Sequence, residues 1–216
     1  MVRGASLSLP STGRATARHR PGAVETAVGA ALLGVSLVGA VLAAAHPAAN
    51  ALDRWGFDAI GAAPGSVVLL RITDIGSPVV LVVATVVAGL VALRHDRVRA
   101  IACLSGPAAV AVLVELVLKP VVGRHFEGVL SYPSGNVADV AAVATAWTLA
   151  VTPRFRPFVV AVAAAATLAM ADAVIALRWH YPSDALGGLV LGVAVVVFVD
   201  GLLHLRLPGT RTTALD

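Results

Sequence analysis

The sequence predicts an all-α membrane protein: a bundle of six transmembrane helices with a short amphipathic segment outside the bilayer between the first two. Three observations carry that expectation. Hydrophobic residues make up 58% of the 216 and charged residues only 13%, with a mean hydropathy of +0.90. Six apolar stretches, each about 17–22 residues long, match the length of a spanning helix. They lie near 26–45, 77–93, 100–118, 137–152, 157–177 and 184–203. The gaps between them alternate in charge, as the ends of spanning helices do.

Residues 1–22 are polar, basic and punctuated by Pro and Gly, which predicts a disordered cytoplasmic tail. The membrane domain is expected over 23–205, and a second cytoplasmic tail over 206–216. Arg3, Arg14, Arg18 and Arg20 precede the first span; Arg94, Arg97 and Arg99 follow the second. Arg154 and Arg156 follow the fourth, and Arg206 and Arg211 the sixth. Eleven of the 16 basic residues therefore fall on one side, and the positive-inside rule puts both termini in the cytoplasm. A net charge of +4 arranged in this way does not point to nucleic acid. The apolar run near the N-terminus is too long for a typical cleavable leader. Abundant Ala, Val, Gly and Arg beside a single Lys suggest a GC-rich bacterial genome, so the expected location is a bacterial plasma membrane.

Between the first two spans, residues 50–78 are half apolar and carry Asp53, Arg54, Trp55, Asp58, Arg71 and Asp74. They read as one or two amphipathic helices on the outer surface, with Trp55 at the interface. The connections at 94–99 and 152–157 are short, so the spans they join are antiparallel neighbours. Cys103 lies inside the third span and reads as a small packing residue. One Cys and six scattered His give no metal-ligand spacing, and no cofactor is implied.

The polar residues at the outer ends of the spans fall into three groups. Lys119, Arg124 and His125 follow the third span, Ser134, Gly135 and Asn136 open the fourth, and Arg178, His180 and Asp184 lie between the fifth and sixth. Converging at the membrane surface, they would form an anion site. Helix-start amides carry partial positive charge, Gly135 permits close backbone approach, and the cations complement phosphate. His180 and Asp184, spaced i, i+4, share a face on a continuous helix, where a carboxylate orients an imidazole. Asn136 and Asp139 are spaced like an N-cap and its N3 partner, which gives them a purely structural reading. Glu115, four residues before Lys119, is its expected ion-pair partner. Asp172 is a candidate partner for Arg178, and Asp200 is expected near His204 at the cytoplasmic end.

Lys119 and Arg124 (K-x4-R), then Pro133-Ser134-Gly135, then His180 and Asp184 (H-x3-D), resemble in that order the type-2 phosphatidic-acid phosphatase superfamily over roughly residues 48–203. That family includes membrane lipid-phosphate phosphatases and the soluble vanadium haloperoxidases. The resemblance implies a metal-independent reaction through a phosphohistidine. His180 would be the nucleophile and Asp184 its orienting partner; Lys119, Ser134 and Gly135 would bind the phosphoryl oxygens.

The chain is divergent. Where the family has an Arg followed by Pro, it has Phe126 and Glu127, and Arg124 is the nearest stand-in. The family's acid His is Asn136, read here as a phosphate-binding hydrogen-bond donor. The expected second Arg is Val174, preceded by Ala173 rather than Ser, with Arg178 about one turn away as its substitute. His125 is the possible substitute proton donor. A diphosphate loses its phosphate leaving group without much help, which favours a polyprenyl diphosphate over phosphatidic acid. The expected function is hydrolysis of a membrane lipid phosphate or diphosphate at the extracytoplasmic face. The alternatives are a catalytically lapsed lipid-phosphate binder and a small proton-coupled transporter or flippase.

Overall fold

The computed structural model describes residues 22–207, so the tails expected at 1–22 and 206–216 lie almost wholly outside the described residues. Nine α-helices follow in order among these: α1 (Ala23–Ala45), α2 (Ala51–Ile60), α3 (Val67–Thr73), α4 (Pro78–Leu93), α5 (Arg97–Val112), α6 (Lys119–Val122), α7 (Gly135–Ala150), α8 (Arg156–Ala176) and α9 (Pro182–Arg206). A π-helical segment, Leu113–Leu118, joins α5 to α6, and a two-residue hairpin pairs His125–Phe126 with Val129–Leu130.

Each of the six apolar stretches is helical, but the helices differ in what they can span. Ala23–Ala45, Arg97–Val122, Arg156–Ala176 and Pro182–Arg206 are long and apolar enough to cross a membrane. A fifth crossing arises if Val67–Gly76 and Pro78–Leu93, bent by 44°, count as one. Length and composition therefore give four to five crossings where the sequence reading expects six. The shortfall lies in α7 and, unless it is joined to α3, in α4: each has 16 residues and extends about 24 Å, against a hydrocarbon core of about 30 Å.

The short helix α7 is the centre of the bundle. Ten of its residues are buried, most of them Ala, Gly or Val, and it packs on α4, α5, α8 and α9. Within lipid there is little hydrophobic gain from pairing helices, so small residues that permit close backbone approach do the work. A Cβ at Gly188 would stand 2.5 Å from the carbonyl oxygen of Ser134, and one at Gly187 2.7 Å from the Tyr132 ring. Gly192 meets Ala138 and Ala141 in the same way. On the far side of α9, Gly29 of α1 faces Phe198, and Gly201 faces Thr26. Cys103 is buried and donates weakly to the Ala146 carbonyl at 3.4 Å, a packing role.

The perimeter is apolar and open. Leu37, Val41, Val79, Val82, Leu116 and Phe158 are all more than half exposed, a surface suited to lipid rather than water. The chain is an integral membrane protein. At the end carrying the α5 N-terminus, Asp200 is buried and bonded to Arg99 at 3.3 and 3.4 Å, while His204 bridges to Asp96 at 2.9 Å. That cluster matches the expected place of Asp200, away from the phosphate-loop residues.

The glycine contacts are open to direct test. Gly188→Ala should cost about 1–3 kcal/mol, because its methyl meets backbone rather than a side chain that can turn away. Gly34→Ala, where a Cβ meets nothing within 4 Å, should be neutral or stabilising by up to about 1 kcal/mol. Thermal unfolding of both variants in detergent measures the contrast.

Candidate active site at the start of the central helix

Helix α7 begins at Gly135, directly after the buried loop Ser131-Tyr132-Pro133-Ser134. Ser134 is its N-cap but makes no capping hydrogen bond with its side chain. The hydroxyl is fully buried and has no partner among the described residues. The first amides of α7 thus retain their partial positive charge, with an uncommitted hydroxyl beside them.

Members of all three expected groups meet here: Lys119, Ser134 with Gly135, and Asp184. A Cβ on Gly135 would lie 3.6 Å from Lys119 Nζ and 2.6 Å from Glu115 Oε1, so both side chains stand against the helix start. Lys119 is bonded to Glu115 at 2.6 Å, the partner its spacing predicts. On the other side, the Ser134 N–H donates to the Asp184 carbonyl at 3.0 Å, which joins the starts of α7 and α9.

His180 lies just outside α9, in the turn that follows α8; Pro182 is the first helical residue. The continuous-helix spacing of His180 and Asp184 is therefore not realised. Their approach is instead made by the turn, with His180 Nδ1 3.9 Å from Asp184 Oδ2. That is beyond hydrogen-bonding distance, and His180 Nδ1 is a second buried polar atom without a partner among the described residues. Asp184 itself is fixed: Oδ2 accepts from the Tyr181 N–H at 3.1 Å and Oδ1 from Arg124 at 2.7 Å.

Arg124 is placed differently from the expected phosphate contact. All five of its N–H donors face protein acceptors: the carbonyls of Pro47 (3.1 Å) and Ala48 (3.3 Å), Asp53 Oδ2 (2.8 Å), Ser183 Oγ (2.7 Å) and Asp184 Oδ1 (2.7 Å). Its guanidinium also covers the Tyr181 ring at 4.1 Å, and the side chain is 1% exposed. It therefore has no donor left for a ligand and acts as a clasp between the α2 segment and the start of α9.

The sequence reading missed Asp53 as the third member. Its carboxylate caps α2 through Asn50, accepts from the Ser183 N–H at 2.8 Å, and is fully buried. The signal was an acid on an amphipathic helix that turns its apolar residues outward: Leu52 and Trp55 are exposed while Asp53 and Gly56 are buried.

The remaining expected residues stand further off. Arg178 adopts φ 62° and lays its guanidinium over Phe57 at 4.0 Å; Asp172 is exposed and forms no ion pair with it. His125 is exposed on the hairpin, its Nδ1 2.9 Å from the Gly123 carbonyl. Phe126, in one expected Arg position, packs edge-on against Tyr181 with centroids 4.6 Å apart. Val174, in the other, is buried beside Val137 and Met170. Asn136 and Asp139 do not form the cap that their spacing suggests, because Ser134 occupies the N-cap. Both instead line a cavity of about 540 Å³ between α4, α5 and α7.

Residues 117–205 match the family model described as the PAP2 superfamily. Among curated proteins none matches. Among solved structures, the crystal structure of the first transmembrane PAP2 type phosphatidylglycerolphosphate phosphatase from Bacillus subtilis is similar, with a TM-score of 0.65 and 20% identity. The alignment covers 81% of this chain and 95% of that one. At that identity the likeness is one of fold.

Breaking the clasp should be costly, since it strands buried carboxylates. Arg124→Met is expected to lose about 3–5 kcal/mol of stability. Burial alone would raise the Asp53 carboxyl, but hydrogen bonds from Ser183, Asn50 and Arg124 outweigh it and hold it below its ordinary value. A carboxylate depressed in the folded state contributes stability that is present above its unfolded pKa, about 4, and lost as pH falls through the lower folded value. Thermal unfolding between pH 7 and 3 should show that acid loss, and Asp53→Asn should flatten it.

Proposed function

We propose that the chain is a divergent member of the PAP2 superfamily, whose model matches residues 117–205, and that it hydrolyses a membrane lipid phosphate through a phosphohistidine on His180. The observation that carries this reading is the meeting of Lys119, Ser134, Gly135 and Asp184 at the start of α7. The reported activity of the similar Bacillus subtilis protein, a phosphatidylglycerolphosphate phosphatase, supports a lipid-phosphate substrate.

In this mechanism the phosphoryl oxygens sit on the first amides of α7, with the Ser134 hydroxyl and the Lys119 ammonium as further donors. Asn136 adds an amide donor. A phosphate would compete with Glu115 for Lys119, drawing the ammonium off its present partner. His180 attacks phosphorus, the lipid oxygen departs, and water then hydrolyses the P–N bond. Asp184, held by Arg124 and the Tyr181 amide, needs only to close the present 3.9 Å gap to orient the imidazole. Apo active sites commonly hold such contacts long until substrate tightens them. The positive-inside pattern supports a site on the extracytoplasmic face of a plasma membrane, with both termini cytoplasmic. A single-chain polyprenyl diphosphate is the finer substrate class that the absence of a family acid at Asn136 favours.

One observation favours a second reading. The Asn136 substitution together with the open His180–Asp184 distance fits a protein that binds lipid phosphate without turning it over. Phosphate release by the purified protein from phosphatidic acid, phosphatidylglycerolphosphate and a polyprenyl diphosphate, in chelator, separates the two. Release is expected to fall at least about 10³-fold in His180→Ala. In Lys119→Ala it should fall less, by about 10–10²-fold. Binding without release from any lipid would establish the second reading.

A further inference from the structure

We propose that Asp139 is the acid that protonates the departing lipid oxygen, in place of the group that Asn136 cannot supply. The inference rests on the phosphatase reading and names a further catalytic residue within it.

The direction of departure comes first. A phosphate seated on the first amides of α7 belongs to a molecule whose chain remains in the bilayer, so its leaving oxygen faces hydrocarbon rather than water. The cavity between α4, α5 and α7 runs that way. Leu81, Val82, Leu104 and Pro107 give it apolar walls, and Asn136 and Asp139 form its polar part. Val82 and Leu104 are exposed on the lipid-facing perimeter. His180 and Lys119 are not part of its lining, whereas Asn136 and Asp139 are.

Asp139 is three residues after Asn136, hence on the same helix face. Side chains on a helix lean toward its N-terminus, which carries the carboxyl back toward Asn136 and the phosphate end. Its Oδ1 is buried and has no hydrogen-bond partner among the described residues. No described cation forms an ion pair with it, because Lys119 is held by Glu115. Capping does not explain the residue, since Ser134 is the N-cap. Leaving a buried polar oxygen unbonded is costly, and no hydrogen bond among the described residues offsets it. His125, the alternative donor, is turned to the Gly123 carbonyl on the exposed hairpin.

The chemistry balances. His180 forms the P–N bond as the P–O bond to the lipid breaks, and the Asp139 carboxyl gives its proton to the departing oxygen. The resulting carboxylate then takes a proton from the water that attacks the phosphohistidine, so the acid is restored as inorganic phosphate leaves.

Leaving-group dependence distinguishes an acid from a packing residue. Two substrates would be compared: a diacylglycerol phosphate, whose alkoxide leaves poorly, and a lipid-anchored nitrophenyl phosphate, whose phenolate leaves without a proton. Asp139→Asn is expected to slow the first by about 10²–10⁴-fold and to spare most turnover of the second. Aryl turnover in the same preparation also shows that the variant is folded. Adding Asn136→His to Asp139→Asn should restore much of the alkyl rate. Equal losses on both substrates, or no loss on either, would overturn the assignment. Aryl turnover by the wild type that vanishes in His180→Ala upholds the phosphatase reading even then. Silence on both substrates sinks the two together.

Discussion

The site depends on one buried ion cluster. Arg124 joins Asp53 of α2 to Asp184 of α9, with Ser183 and two carbonyls completing its bonds. Two buried carboxylates opposite one guanidinium are stable only if every lone pair and proton finds a partner, and here all five donors do. Asp184 is thereby fixed within reach of His180, and its carbonyl fixes the Ser134 amide at the start of α7. Removing the Arg would therefore disturb the surroundings of His180 and the Ser134 loop together, although Arg124 is bonded to neither His180 nor Ser134.

Small residues set the second constraint. The starts of α7 and α9 lie close enough for a backbone bond only because Gly187 and Gly188 carry no side chain against Tyr132 and Ser134. The same economy leaves the perimeter loosely covered, and the α4–α5 cavity with Asn136 and Asp139 results. At the opposite end, Asp200 is neutralised by Arg99 and flanked by His204. Asp200 thus sits in a closed ion cluster, while Glu115 and Asp139 lie near the start of α7.

Much of this was legible in the sequence, because apolar length and the order of polar groups are local properties. Lys119 with Glu115, the Ser134-Gly135 loop, and the separate place of Asp200 follow from spacing alone. What spacing does not reveal is competition for a side chain. Arg124 reads as a phosphate ligand until Asp53, remote in sequence and on the buried face of α2, is seen to claim it. Phe126 and Val174 read as lost arginines, yet in the fold each fills an apolar environment: Phe126 against Tyr181, Val174 beside Met170. The His180–Asp184 spacing suggests a shared helix face, whereas a turn brings the two side chains to 3.9 Å.

The shortness of α7 has a consequence for how the protein is made. A segment of 16 residues, too short to fill the hydrocarbon core alone, has no firm hold on the bilayer as it leaves the ribosome. Its partners are α4 and α5, already synthesised, and α8 and α9, still to come. Until α9 is inserted, the face of α7 that it covers is open and Arg124 has no Asp184. His180 and Asp184 therefore arrive last, at the moment the bundle closes. A nascent chain arrested before that point holds the Ser134-Gly135 loop without the two residues that complete the candidate site.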